Sequence, residues 1–179
     1  MFLDRDGVVN RVIMRDGRPA SPLSLAELHL LPGVVDAVAR LRDAGYVVVL
    51  ATNQPDAAAG TREREVAERL NEEVRRHVPL DGVKVCYHRD GDGCACRKPK
   101  PGLLLEAARE WSLDLRRSFM VGDRWRDVSA GRAAGCTTVL VGDGYGEAFP
   151  DAPDLVAASV VDASAMILSH AGAGPHGGA

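Results

Sequence analysis

The sequence predicts an α/β fold built on a doubly wound, Rossmann-like parallel sheet. Three observations carry that reading. Apolar periodicity switches repeatedly between strand-like and helix-like; the strand-like runs are short, β-branched and apolar throughout; and polar residues gather where those runs end.

Met1-Phe2-Leu3 reads as the first strand. It is short beside the ~5–6 residues of an average strand, so we expect the natural start to lie a few apolar residues upstream. Asn10 to Leu31 is a long connection carrying Gly17, Pro19 and Pro22, of the kind that is usually functional or mobile. Val34, Val38 and Leu41 mark a helical face, opened by Pro32-Gly33 and stopped by Gly45. Residues 46–52 form a buried strand, and residues 62–78 an amphipathic helix with Val66, Leu70, Val74 and Val78 at spacing four. Residues 83–86 are a strand, and Leu103 to Trp111 a helix with Pro101 near its first turn. Strand 118–121, a small-residue helix over 126–134 and strand 137–141 follow, then a strand near 155–160 and a helix near 162–169. Residues 1–170 are expected to be one domain, and the small polar tail 171–179 to be disordered.

Composition narrows the function classes. The 179 residues carry a net charge of −3, which argues against a nucleic-acid binder that works by neutralising phosphates. No apolar run reaches the ~18 residues of a membrane span, and Met1-Phe2-Leu3-Asp4 has no signal-peptide character. The expectation is a cytoplasmic monomer acting on a small molecule. Of 22 Lys and Arg, only residues 84, 98 and 100 are lysine.

Asp4-Arg5-Asp6-Gly7 places two carboxylates at i and i+2, on the same side of an extended chain. Such a pair suits a hard cation such as Mg²⁺, although an acidic turn after a strand has the same pattern. Thr52-Asn53-Gln54 ends the next buried strand, and Gly122-Asp123-Arg124-Trp125-Arg126-Asp127 follows a third. Asp123 alone could be a helix cap. Asp127 could orient metal-bound water or serve as a first-turn carboxylate. Arg97-Lys98-Pro99-Lys100 opens a helix with positive charge. Together these put carboxylates, a hydroxyl and a cation at the carboxyl ends of separate strands, where open α/β sheets bind ligands. Cys86, His88, Cys94 and Cys96 fall within eleven residues, with Gly91 and Gly93 allowing the chain to turn back. Four such ligands suit a structural tetrahedral Zn²⁺; reduced thiols near a surface histidine are the plain alternative. Cys136 reads as a buried small residue.

The four motifs, in this order, resemble the haloacid dehalogenase-type (HAD) phosphatase superfamily over residues 1 to about 142. The resemblance implies a capless HAD-like fold. It implies that Asp4 is a nucleophile forming an aspartyl-phosphate and Asp6 a general acid/base. Mg²⁺ would be held by Asp4, the main-chain carbonyl of Asp6 and Asp123. Thr52, Asn53 and Lys98 would neutralise the phosphoryl oxygens. The Cys-x-His…Cys-x-Cys loop before Arg97-Lys98 is similar to the zinc-loop subgroup, the D-glycero-D-manno-heptose-1,7-bisphosphate 7-phosphatases and the histidinol-phosphate phosphatases. Ser21-Pro22, Leu31-Pro32-Gly33 and Lys100-Pro101-Gly102 favour the heptose substrate. That substrate implies a second anion site from Arg97 and Arg124, with Arg15 a further candidate. Several heptose enzymes have Lys at the Arg124 position, Ser at Pro55 and a longer zinc loop. The five-residue gap between His88 and Cys94 looks more like the histidinol-phosphate enzymes, so that substrate is the alternative. A sugar-phosphate mutase or a silent phosphate-binding relative are the other readings. A mutase normally needs a cap, and the catalytic positions are filled by competent residues. Lys100 gains no role and is expected to be solvated.

Overall fold

The protein is described by a computed structural model over residues 1–172. In chain order the elements are β1 (Phe2–Leu3), the hairpin β2 (Ile13–Arg15) and β3 (Arg18–Ala20), α1 (Val34–Asp43), β4 (Val49–Asn53), α2 (Thr61–His77), β5 (Gly82–Cys86), α3 (Gly102–Glu110), β6 (Phe119–Gly122), α4 (Trp125–Ala134), β7 (Thr137–Val141), β8 (Leu155–Ala157) and α5 (Val160–Gly172). The main sheet runs β5-β4-β1-β6-β7-β8, with every neighbouring pair parallel. The chain leaves β1 toward β4 and β5 on one side and returns to β6 on the other. The topological switch point therefore lies at β1, and the crevice beyond its carboxyl end is where this architecture binds ligands.

Strand alternation sends each residue of β1 to a different core. Leu3 joins Val34, Val38 and Leu41 of α1 and Ile167 of α5 on one face. Phe2 joins Leu103, Leu104 and Ala107 of α3 on the other. Phe2 pairs with both Val49 and Met120, and Leu3 with both Leu50 and Val121, so β1 is central despite its two residues. Covering both faces explains why these strands are apolar throughout.

Some element boundaries differ from the sequence expectation. The strand expected over 46–52 runs from Val49 to Asn53. Val49 registers with Phe2 and with Gly82, so residues before it run past the starts of both neighbours. The Val48 amide turns instead to the Asp81 carboxylate, 2.8 Å away. The last helix is longer than 162–169 because Ser159 caps it: the Asp162 amide donates to Ser159 Oγ at 3.2 Å. It takes in Ala171 and Gly172, which were expected to be tail; the remainder of that tail, 173–179, lies outside the described residues. No helix among the described residues is long and apolar enough to cross a membrane.

The long connection from Asn10 to Leu31 contains the β2–β3 hairpin. Asp16-Gly17 forms its turn, both residues at positive φ (50° and 72°), the Asp-Gly signal of a tight hairpin. Together with the loop before α3, the hairpin borders the cavity at the carboxyl end of the sheet. No separate folded unit is inserted over that cavity among the described residues.

Because Ile167 is fully buried between α5 and the sheet, Ile167→Ala should destabilise the protein by about 2–5 kcal/mol. Urea unfolding followed by circular dichroism measures it, and a change near zero would show that α5 does not complete this core.

Candidate active site

The carboxyl ends of three adjacent strands supply the site. Asp4 follows β1, with its amide bonded to the Val121 carbonyl at 2.9 Å. Thr52 and Asn53 end β4, and Asp123 follows β6. Asp4, Asp6, Asn53, Arg97, Lys98, Asp123, Arg124 and Asp127 all line one cavity. Thr52 is buried just behind it, accepting a hydrogen bond from Gln54 Nε2 at 3.0 Å.

Lys98 is 2% exposed, and its ammonium meets three acceptors: Asp4 Oδ1 at 2.8 Å, Asp127 Oδ1 at 2.5 Å and the Ala51 carbonyl at 2.8 Å. Burial works against its charge, but Asp127 and Asp4 hold the ammonium well above its usual range. Asn53 fixes the backbone beneath it. The Lys98 amide donates to Asn53 Oδ1 at 3.1 Å, and Asn53 Nδ2 donates to the Lys98 carbonyl at 3.0 Å.

Asp4, Asp123 and Asp127 offer carboxylate oxygens that lie within 4.8 Å of one another. Burial pushes the Asp4 carboxyl up to about 6, with Lys98 opposing. Burial also pushes Asp123 up to about 8, and Asp4 and Asp127 add to the effect. Asp123 Oδ1 is buried with no hydrogen-bond partner. An orphaned carboxyl oxygen among crowded carboxyl groups, which a cation would hold ionised, is the donor set a hard divalent cation requires.

Asp6 has the opposite surroundings. It accepts from Arg5 Nε and Nη2 at 3.1 and 3.0 Å, from Asn10 Nδ2 at 2.9 Å, from Ser21 Oγ at 2.6 Å and from Gln54 Nε2 at 3.0 Å. Burial alone would raise it, but Arg5 and the other donors hold its carboxyl below the usual range. Gly7 lets the chain turn tightly here. It has a φ of +86°, and a Cβ on it would lie 1.8 Å from Asp123 Oδ2.

Cys86, His88, Cys94 and Cys96 also converge, their ligand atoms all within 4.8 Å. Cys86 Sγ lies 3.8 Å from Cys94 Sγ and 3.2 Å from Cys96 Sγ, and His88 Nδ1 lies 3.3 Å from Cys96 Sγ. A tetrahedral zinc with Zn–S bonds of ~2.3 Å spaces its sulfurs by about 3.8 Å, so the four can hold one ion. The loop packs hard against α3: the Gly102 amide donates to the Ala95 carbonyl at 3.1 Å, and a Cβ on Gly102 would meet that oxygen at 2.2 Å. Cys136 is buried, as expected.

The comparisons with known proteins agree with this architecture. A HAD-hydrolase-like family model matches residues 95–163. The chain is 40% identical over 151 residues to the D-glycero-beta-D-manno-heptose-1,7-bisphosphate 7-phosphatase of Bordetella bronchiseptica, covering 82% of each chain. It is 38% identical, at the same coverage, to the enzyme of that name from Pseudomonas aeruginosa. The chain belongs to the heptose-bisphosphate phosphatase family. A solved structure of the B. bronchiseptica D,D-heptose 1,7-bisphosphate phosphatase, complexed with magnesium and phosphate, superposes with a TM-score of 0.78 at 34% identity. It covers 95% of this chain and 98% of its own.

Within this heptose-bisphosphate phosphatase fold, several site contacts were not anticipated from sequence. Tyr145 Oη donates to Asp123 Oδ2 at 2.7 Å, and Glu147 pairs with Arg124 through Nε (3.1 Å) and Nη2. Both come from the segment after β7, where Gly142, Gly144, Tyr145 and Gly146 all have positive φ. The run Gly142-Asp143-Gly144-Tyr145-Gly146 announces a turn but not where it folds back. Arg5 is fully buried and also donates to Asn71 Oδ1 at 2.7 Å. Ser21, besides opening the Ser21-Pro22 pair, donates from Oγ directly to Asp6.

Two expectations need correction. Arg15 donates to Glu27 Oε2 at 2.6 Å and to the Ser21 carbonyl at 2.5 Å, bracing the hairpin connection, and it is not among the cavity-lining residues. Lys100 is exposed, yet its ammonium donates to the Cys94 carbonyl at 2.7 Å, fastening the Cys/His loop. Asp127 fills the first-turn role: Oδ2 accepts the Arg124 amide at 3.1 Å while Oδ1 pairs with Lys98.

The Cys/His geometry gives a direct expectation. Elemental analysis should find about one zinc per chain, and Cys96→Ser should lose it. Retention of a full equivalent of zinc by that variant would show that the metal sits elsewhere.

Proposed function

We propose that this chain removes the 7-phosphate of D-glycero-D-manno-heptose 1,7-bisphosphate by Mg²⁺-dependent hydrolysis through an aspartyl-phosphate. The observation that carries the reading is the convergence of Asp4, Asp6, Lys98 and Asp123 in one cavity, in a chain akin to enzymes named for this reaction. Residues 1–170 act as one phosphatase domain.

Asp4 attacks phosphorus in line, forming a P–O bond as the bond to the sugar oxygen breaks. Asp6, which takes a proton from solvent as substrate binds, gives it to that oxygen, and in the second step takes one from the water that hydrolyses the aspartyl-phosphate. Its donors hold the resting carboxyl ionised. A phosphate dianion arriving beside it raises its proton affinity, as like charges do. Lys98 and Asn53 serve the equatorial oxygens from the cavity wall, with Thr52 buried just behind them. Asp4, the main-chain carbonyl of Asp6 and Asp123 would hold Mg²⁺, which when bound supplies positive charge to the phosphoryl oxygens. Arg97 and Arg124 face the second phosphate. The Cys/His set, holding zinc, keeps Arg97 and Lys98 in place.

The reading includes a cytoplasmic monomer. Every side chain of the site comes from one chain, and a thiol-rich metal set suits a reducing compartment.

Asp4→Asn should retain the circular dichroism spectrum of the parent and lose turnover by at least about 10³-fold; comparable activity in that variant would refute the nucleophile. Parallel kinetics with the heptose bisphosphate and histidinol phosphate test the substrate. The heptose should have the higher specificity constant, and the reverse order overturns the assignment.

A further inference from the structure

Arg97, Arg124 and Arg126 line the cavity that also contains Asp4 and Lys98. The sequence reading reached the first two only. Arg126 is the second residue of α4, a helix end where a cation is electrostatically disfavoured, so its placement needs a counterweight. Asp90 supplies one. Its Oδ1 accepts from Arg126 Nη1 at 2.8 Å and also from Arg97 Nε at 2.7 Å. Arg97 is tied further by Nη1 to the His88 carbonyl at 3.2 Å, and the Arg126 guanidinium lies 5.0 Å over the Trp125 ring. One carboxylate from the Cys/His loop thus fixes two guanidiniums that reach the cavity from different elements, and it offsets only one of their two charges. Arg124 differs: Glu147 matches it fork to fork. The uncompensated positive charge of this arginine cluster therefore sits on the Arg97–Arg126 pair.

We propose that Arg126 joins Arg97 and Arg124 around the phosphoryl group that is not transferred, forming with Arg97 a clamp on it, and that Asp90 is a positioning residue that sets the clamp. This deepens the bisphosphate reading and rests on it. Two planar guanidiniums held on one side of a site suit a phosphate dianion, which accepts from each in forked geometry. The exposed Asp90 carboxylate (64%) holds the pair while leaving donors free for the ligand.

The test measures inhibition of p-nitrophenyl phosphate hydrolysis by heptose 1,7-bisphosphate and by heptose 7-phosphate, in the parent, Arg126→Ala, Arg126→Lys and Asp90→Ala. The parent should bind the bisphosphate more tightly than the monophosphate. Arg126→Ala should cut that preference at least tenfold, and Arg126→Lys should restore only part of it. Asp90→Ala should weaken the preference with its zinc content intact and kcat for the aryl phosphate changed less than KM for the bisphosphate. An unchanged preference in Arg126→Ala overturns the clamp, even where the heptose bisphosphate is hydrolysed. If the heptose bisphosphate binds without being hydrolysed, the substrate reading falls. A preference that still depends on Arg126 then upholds the clamp as a bisphosphate site.

Discussion

The Lys98 ammonium is the interaction on which the rest of the site depends. An ammonium has three N–H donors and no acceptor, and Lys98 has three acceptors in reach: Asp4, Asp127 and the Ala51 carbonyl. Each comes from a different part of the sheet's carboxyl edge. A guanidinium would bring five donors and a planar fork into the same space. In a chain that otherwise writes Arg for nearly every cation, this explains why lysine stands here. Buried ion pairs seldom add much net stability, because desolvation offsets the attraction. What this one fixes is geometry, by holding Asp4 and Asp127 toward a common point beside Asp123.

The placement of Lys98 is in turn a product of the loop before it. The Cys/His cluster gathers residues 86–96 into a compact unit, Lys100 donates back to the Cys94 carbonyl, and Gly102 seats that unit on the start of α3. Asn53 then couples the Lys98 backbone to the end of β4 in both directions. A metal bound there would thus reach the reacting centre through covalent chain and short hydrogen bonds, without touching substrate.

How much of this was legible in the sequence follows from the range of each interaction. Strands and helices were legible because both faces of the sheet are covered, so Val49 to Ala51 and Phe119 to Val121 had to be apolar throughout. Asp4, Asp123 and Lys98 were legible because each sits at a fixed offset from such a strand or from a helix start. The β2–β3 hairpin was missed, although Asp16-Gly17 is a local signal for it. Its strands have three residues each, too few for alternation to stand out. The Tyr145–Asp123 and Glu147–Arg124 contacts were out of reach for another reason. They depend on where a glycine-hinged segment folds back, and the residues on either side of each contact lie 22 and 23 positions apart. Arg15 shows the converse error. A cation in a long connection reads as free to bind an anion until the structure shows Glu27 beside it.

Asp4 and Asp6 are two residues apart, chemically identical, and driven in opposite directions. Asp4 meets one ammonium and two further carboxylates, so its charge is costly until positive charge arrives. Asp6 meets a buried guanidinium and three neutral donors, so its charge is favoured in the resting site. The pattern fits the division of labour that hydrolysis through a covalent intermediate needs. In the proposed reaction the nucleophile sits where cations converge, since that is also where phosphoryl charge is stabilised. The proton carrier of that reaction needs surroundings different from the nucleophile's, so that the two carboxyls keep different proton affinities. Arg5, placed between the two in sequence and fully buried, enforces the separation. It turns its whole guanidinium to Asp6 and Asn71 and leaves Asp4 to Lys98.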